Sequence, residues 1–140
     1  SGVLLSVDAL PAINDHYGRR EGDRILATIG SALIEAIRQP DMLARWGGRE
    51  FAAMLPETTL EAATVVATKL LSAATRAVGL DESSGFPLSA GVAQFRLHGD
   101  DAGDLMWSAD RGLRAAFEAS GGVGTPDDAD RQQTKGRASA

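Results

Sequence analysis

The sequence predicts an α+β domain: a mixed central sheet flanked by helices, in the order β-α-β-β-α-β-α. Three observations lead there. Two stretches with apolar residues at helical spacing enclose a pair of short β-like runs. Those runs flank Gly47-Gly48, a hairpin signal. A hairpin between helices does not suit a purely parallel, doubly wound sheet, whose strands are joined by crossovers.

Each element has its own signal. Residues 3–7 are an apolar run of β-formers, the pattern of a buried strand, and Pro11 breaks it. From Gly22 the pattern turns helical: Ile25, Leu26, Ile29, Leu33, Ile34 and Ile37 recur at three- and four-residue spacing until Pro40. Residues 42–46 and 51–55 are the two hairpin strands. Thr58 and Glu61 have capping-box spacing ahead of a helix that runs to about Val78. Residues 79–85 form a polar loop, and residues 86–95 read as a strand interrupted by Gly91. Asp101 and Asp104 begin a last helix with Leu105, Ala109, Leu113 and Ala116 on one face. Gly121-Gly122 stops it, and with no strand ahead of these glycines they are not a phosphate loop. The remaining chain lacks large apolar residues. The domain is therefore expected over residues 1–122, with 123–140 a disordered tail.

Composition narrows the function. The 140 residues are one domain's worth, enough to bury a core. The chain is 44% hydrophobic and 24% charged, ordinary for a soluble protein. No apolar run approaches the roughly 18 residues of a membrane helix. The absence of cysteine excludes disulfides, Cys-ligated zinc and Cys nucleophiles. His16 and His98 are too few for a His-rich metal site, and neither completes a Ser/His/Asp triad. A net charge of −5 argues against nucleic-acid binding, although a few arginines still suffice to hold a small anion. The chain shows no signal or transit peptide and opens on a strand already under way. It reads as a domain cut from a longer protein, cytoplasmic and without direct membrane contact. Membrane anchoring of the full-length protein stays open.

One set of motifs is distinctive. Asp8 precedes Ile13-Asn14-Asp15, and Glu21-Gly22-Asp23 follows. Arg38-Gln39-Pro40-Asp41 comes next, and after five intervening residues Gly47-Gly48-Arg49-Glu50-Phe51. Downstream stand Leu88-Ser89-Ala90-Gly91-Val92 and Ala109-Asp110. In this order and at these separations the chain resembles the GGDEF family of diguanylate cyclases, which make cyclic di-GMP from two GTP molecules. The resemblance spans residues 3 to 121.

The resemblance implies a site in which two metal ions, usually magnesium, clamp a triphosphate for attack by a 3′-hydroxyl. The first-strand carboxylate of that site falls at Ser6, while Asp8 matches the family's second aspartate. The hairpin's metal carboxylate falls at Arg49. The two changes alter the local charge by about three units, so no metal is expected, and magnesium enters only if the domain is active. A phosphate-contacting lysine falls at Pro11. The family's Tyr-x-Ala-Lys and following Arg meet Arg114-Ala115-Ala116-Phe117 and Gly121-Gly122.

Other positions are kept. Asn14 and Asp23 match the residues that read guanine, although both also suit a turn and a helix start. Glu50 matches a residue that takes a proton or touches metal, or is simply an exposed strand residue. Arg38 and Asp41 match an inhibitory site for cyclic di-GMP, or are a helix-terminal arginine and a loop aspartate. Arg49 is either a bare surface arginine or a guanidinium standing where a metal stood. Trp46 and Trp107 read as packing residues.

The expected function is a degenerate, catalytically inactive GGDEF domain that binds cyclic di-GMP. It would act as a regulatory module in bacterial second-messenger signalling, with other signalling domains of the same or a partner protein. Two alternatives stand beside it: an active diguanylate cyclase, or a GTP-sensing or protein-interaction domain.

Overall fold

β-Formers at residues 2–7 are buried at every position and make β1 (Gly2–Val7). The computed structural model describes residues 1–79 and 88–139. After β1 come α1 (Leu10–Tyr17), α2 (Arg19–Ala36), β2 (Met42–Arg45), β3 (Glu50–Met54) and α3 (Leu60–Ala77). β4 (Leu88–Ala93), α4 (Ala102–Glu118), β5 (Gly122–Gly124) and α5 (Pro126–Ser139) complete the chain. The strands form one sheet in the order β2-β3-β1-β4-β5. β1 is antiparallel to both neighbours, β2 and β3 form the expected hairpin, and β4 and β5 run parallel. The mixed sheet with flanking helices is thus the predicted architecture.

Period-two alternation decides which residues meet which helices. Val3, Leu5 and Val7 point to one face; Leu26, Ile29 and Leu33 of α2 and Leu70 of α3 bury Leu5 and Val7, and Ala63 and Ala67 of α3 pack with Val3. Leu4 points to the other, against Leu105, Ala109 and Leu113 of α4. A single strand therefore serves two cores. α4 lies unusually close to β4, because a Cβ at Gly91 would fall 1.9 Å from the Ala109 carbonyl oxygen and 2.3 Å from the Leu113 nitrogen.

Four expectations need correction. Pro11 does not end the local structure; it sits in the first turn of α1, where its missing N–H and fixed φ cost nothing. The cap of α3 is Thr59, whose side chain accepts from the Ala62 N–H at 3.3 Å, not Thr58. Trp46 and Trp107 are 55% and 63% exposed rather than packed. They border a small cavity with Leu4 and Met106, because α4 lies over β1 and β4 and leaves that side of the hairpin uncovered.

The fourth correction concerns the C-terminus, where β5 and α5 stand in place of the expected tail. Local polar chemistry starts the helix. Thr125 N–H donates to Asp128 at 2.8 Å, the Asp128 N–H donates to Thr125 Oγ1 at 3.3 Å, and Pro126 opens the first turn. Gln132 then donates to the Ala115 carbonyl at 2.9 Å, and Asp130 pairs with Arg111, so polar contacts hold α5 on α4. An apolar pattern is the wrong signal for such a helix. The expected strand residues 86–87, and 80–85 of the expected loop, lie outside the described residues.

The contact at Gly91 makes a direct prediction. Gly91→Ala must push α4 off the sheet, and overpacking of this kind costs about 1–3 kcal/mol. Urea denaturation should show a lower midpoint at unchanged slope. An unaltered midpoint would contradict the packing described.

Candidate functional site

The end of β1, the start of α2 and the β2–β3 hairpin converge on one side of the sheet. The register places Ser6 opposite Glu50 of β3 on one flank and Ser89 of β4 on the other. Ser6 is 4% exposed. Just beyond the strand, Asp8 accepts a 2.5 Å hydrogen bond from the Ser89 hydroxyl. The hairpin closes through Trp46 N–H, which donates to the Glu50 carbonyl at 2.9 Å, and Val7 N–H donates to the Arg49 carbonyl at 2.9 Å. These backbone bonds fix Arg49 at the mouth of the cleft.

Two adjoining cavities share Arg49 and Glu50. The larger, about 630 Å³, brings in Pro11 and Asn14 from α1, Arg19 and Asp23 from α2, and Gly48. The smaller, about 220 Å³, is lined by Ser6, Asp8, Asp110, Arg114 and Phe117. Asn14, Asp23, Arg49, Glu50, Ser6 and Asp8 are therefore brought together as expected from their order in the sequence. Phe51 is not in the cleft. It is buried in the α2-side core, with the Arg45 guanidinium 5.3 Å from its ring centroid. Gly47 shapes the turn, and its carbonyl receives Arg45. A groove of about 680 Å³ between α4 and α5 is larger still, but it contains none of Ser6, Asn14, Asp23, Arg38, Asp41, Arg49 or Glu50.

The donor set does not suit magnesium. Hard divalent ions take several carboxylate oxygens. Here the buried position nearest Glu50 offers a neutral hydroxyl, and Arg49 and Arg114 stand among the remaining acids. Asp110 is committed to Arg114 at 3.0 Å and Asp8 to Ser89. Among the described residues no three His, Cys, Asp or Glu side chains are grouped to hold a metal.

Arg38 and Asp41 lie elsewhere, where α2 ends and β2 begins. Asp41 has no exposed side-chain surface, whereas the Arg38 side chain is 57% exposed. The two form a closed unit: Arg38 Nη2 donates to Asp41 Oδ1 at 3.1 Å, and Arg38 Nε and backbone N–H donate to Oδ2 at 3.3 and 3.0 Å. Arg38 Nη2 also donates to Thr58 Oγ1 at 3.1 Å, which ties the loop ahead of α3 to the unit. Burial pushes the Asp41 carboxyl up, but the hydrogen bonds and charge of Arg38 outweigh it and hold the group below its ordinary value.

Sequence reasoning missed Arg19 and Ser89. The Arg19-Arg20 pair after Gly18 was a visible sign of the first, and the small polar residue in an apolar strand was a sign of the second.

This fold and cleft place the protein in the nucleotidyl-cyclase-like class. The family model "Diguanylate cyclase, GGDEF domain" matches residues 1–122. Diguanylate cyclase DgcP of Pseudomonas aeruginosa is 36% identical over 122 residues, covering 84% of this chain and 18% of that protein. The GGDEF domain of PA1120 (TpbB or YfiN) from P. aeruginosa superposes with a TM-score of 0.77 at 26% identity, over 94% of this chain and 80% of that one. The GGDEF domain of DgcB from Caulobacter crescentus, solved in complex with c-di-GMP, shares the fold with a TM-score of 0.73 at 21% identity, over 89% of this chain and 75% of that one. The chain belongs to the GGDEF family. It spans 33% and 18% of the length of two curated relatives it matches. Among the described residues no helix is long and apolar enough to cross a membrane.

The depressed Asp41 carboxyl links stability to pH. A group whose folded pKa lies below its unfolded value stabilises fully above that unfolded value, about 3.9, and loses its contribution as pH falls through the folded one. Asp41→Asn removes the charge and leaves Arg38 without its counterion. At pH 6 the variant should be about 1–3 kcal/mol less stable than the parent. The difference should shrink below about pH 4. A difference that stayed constant down to pH 2 would show that the charge of Asp41 plays no part.

Proposed function

We propose that this domain is a catalytically silent GGDEF module that binds cyclic di-GMP at Arg38 and Asp41 and conveys occupancy to other signalling domains of the same or a partner protein. The observation that carries the proposal is the contrast between the two sites. Arg38 and Asp41 are kept as a formed pair with the guanidinium turned to solvent, while the cleft carries Ser6 and Arg49 in place of acids. Asp41 already uses both oxygens on Arg38. It therefore orients the arginine, and the exposed edge and face of the guanidinium meet phosphate and guanine. The c-di-GMP complex of the DgcB domain from Caulobacter crescentus supports the ligand class.

Energetics favour silence over an unusual active site. Each lost metal ligand removes several kcal/mol of transition-state stabilisation, and each 1.4 kcal/mol is about tenfold in rate. Pro11 and Phe117 in place of phosphate-contacting lysines deepen the loss. In the proposed module Glu50 has no metal-bound substrate to act on, and magnesium has no role.

Calorimetric titration with cyclic di-GMP should give low-micromolar or tighter binding, lost in Arg38→Ala. The comparison is valid where circular dichroism shows the variant folded. Absence of binding by the parent domain would overturn the regulatory reading. Overnight incubation with GTP and manganese should yield no cyclic di-GMP by chromatography. A product peak would instead establish the active-cyclase alternative.

A further inference from the structure

The cavity between the two exposed tryptophans has about 400 Å³ and is mainly apolar. Leu4, Trp46, Met106 and Trp107 line it, and Asp110 is the one charged side chain among its described lining residues. The sheet extends the apolar surface. Met42, Met54 and Gly2 pair in one row on the same face, and a Cβ at Gly2 would stand 3.6 Å from the Met106 sulfur. Met42 and Met54 are both exposed. Single exposed apolar residues are ordinary, but a contiguous group of them marks an interaction site.

The same end of the sheet carries a projection. Ala93 closes the row opposite Gly2, and two residues later the chain presents Phe95 and Leu97 to solvent with Arg96 between them. The tip is held in one shape. Arg96 has φ 69°, a left-handed conformation that a residue with a side chain seldom adopts. Arg96 N–H donates to the Gly99 carbonyl at 2.7 Å, and His98 N–H donates to the Gln94 carbonyl at 2.9 Å. Gln94 N–H donates to His98 Nδ1 at 2.9 Å. Ser108, buried in α4, donates to the His98 carbonyl at 2.6 Å and ties the projection to the helix that lines the cavity. An apolar tip ordered in advance loses little entropy when it docks.

Projection and cavity complement each other. One offers two apolar side chains and a cation, the other an apolar slot and an anion. Among the described residues Arg96 makes no ion pair. Asp110 spends Oδ2 on Arg114, and a carboxylate has a second oxygen to offer. Neither Phe95 nor Leu97 lines the cavity of its own chain. Both features lie at the start of α4: Ala102 and Gly103 line the cavity, and Gly99 packs against Asp104. A two-fold interface requires one patch to carry both halves of the contact. We infer that this face binds a second copy of the chain about a two-fold axis, each Phe95–Leu97 projection entering the other copy's Trp46–Trp107 cavity and Arg96 meeting Asp110. Neither Arg38 nor Asp41 takes part, so the inference does not rest on cyclic di-GMP binding. Two contacts of this size place the dimer among weak interfaces, below about 1,200 Å² in total, in exchange with monomer.

Sedimentation equilibrium of the 140-residue chain should show the apparent mass rising toward twice the monomer value between about 10 and 500 µM. Phe95→Ser and Trp107→Ala alter exposed side chains and should keep the parent melting temperature, yet each should stay monomeric over that range. Val65→Ser, which alters an exposed apolar residue of α3, should dimerise as the parent does. The chain has no cysteine, so chosen positions can be joined. On oxidation, copies carrying Leu97→Cys should cross-link to copies carrying Ala102→Cys in about tenfold higher yield than to copies carrying Val65→Cys. A parent that is monomeric at the highest concentration, a Phe95→Ser or Trp107→Ala variant that dimerises as the parent does, or equal cross-linking to positions 102 and 65 would each overturn the inference.

Discussion

The structure depends on the double burial of β1. Strands lie on both of its flanks and helices on both of its faces, so each residue from Gly2 to Val7 is placed by four neighbours. A slip of one residue would exchange its two faces and send Leu4 into the core built for Leu5. The same register carries Ser6 to the α4 face between Glu50 and Ser89, and position 6 is therefore core and cleft at once. A carboxylate there would be buried close to Glu50 and Asp8, tolerable beside a divalent cation and costly without one. Serine at 6 and arginine at 49 are consistent with each other. One leaves out a buried anion, and the other adds a cation at the mouth of the same cleft.

Much of this was legible in the sequence, for reasons that differ by element. The cores were readable because α2, α3 and α4 bury stripes at helical spacing, and Leu105, Ala109, Leu113 and Ala116 are all buried. The hairpin was readable because Gly47-Gly48 separates two apolar runs. α1 was not, because the stop signal of Pro11 and its start signal are the same residue read in two positions. α5 was not, because Thr125, Asp128, Asp130 and Gln132 hold it by polar contacts that leave no apolar stripe. The tryptophans misled because residue type reports average burial, whereas their exposure follows from how little of the sheet α4 covers.

The candidate site divides along similar lines. The resemblance to the GGDEF family gathered Ser6, Asp8, Asn14, Asp23, Arg49 and Glu50 into one site, and they line two adjoining cavities that share Arg49 and Glu50. What spacing does not reveal is who is paired with whom. The bond between Asp8 and Ser89 joins positions 81 apart in the chain. Arg114 and Asp110 neutralise one another along one helix face, which removes a cation that a residue count would assign to a ligand.

Pairing also gives the two arginine sites different physics. Arg38 is held by Asp41 and Thr58, so its guanidinium is already oriented and a ligand spends little entropy in using it. The buried Asp41 charge in turn depends on that arginine, so a ligand that pulled Arg38 away would leave an uncompensated buried carboxylate. Binding must therefore add to the pair rather than replace it. In the proposed module it would use the guanidinium's outer edge and face, and the Arg38–Thr58 contact joins the unit to the loop ahead of α3. Among the described residues Arg49 has no such ion-pair partner. Its side chain is exposed and held by no ion pair among the described residues, whereas the Arg38 guanidinium is oriented by Asp41 and Thr58.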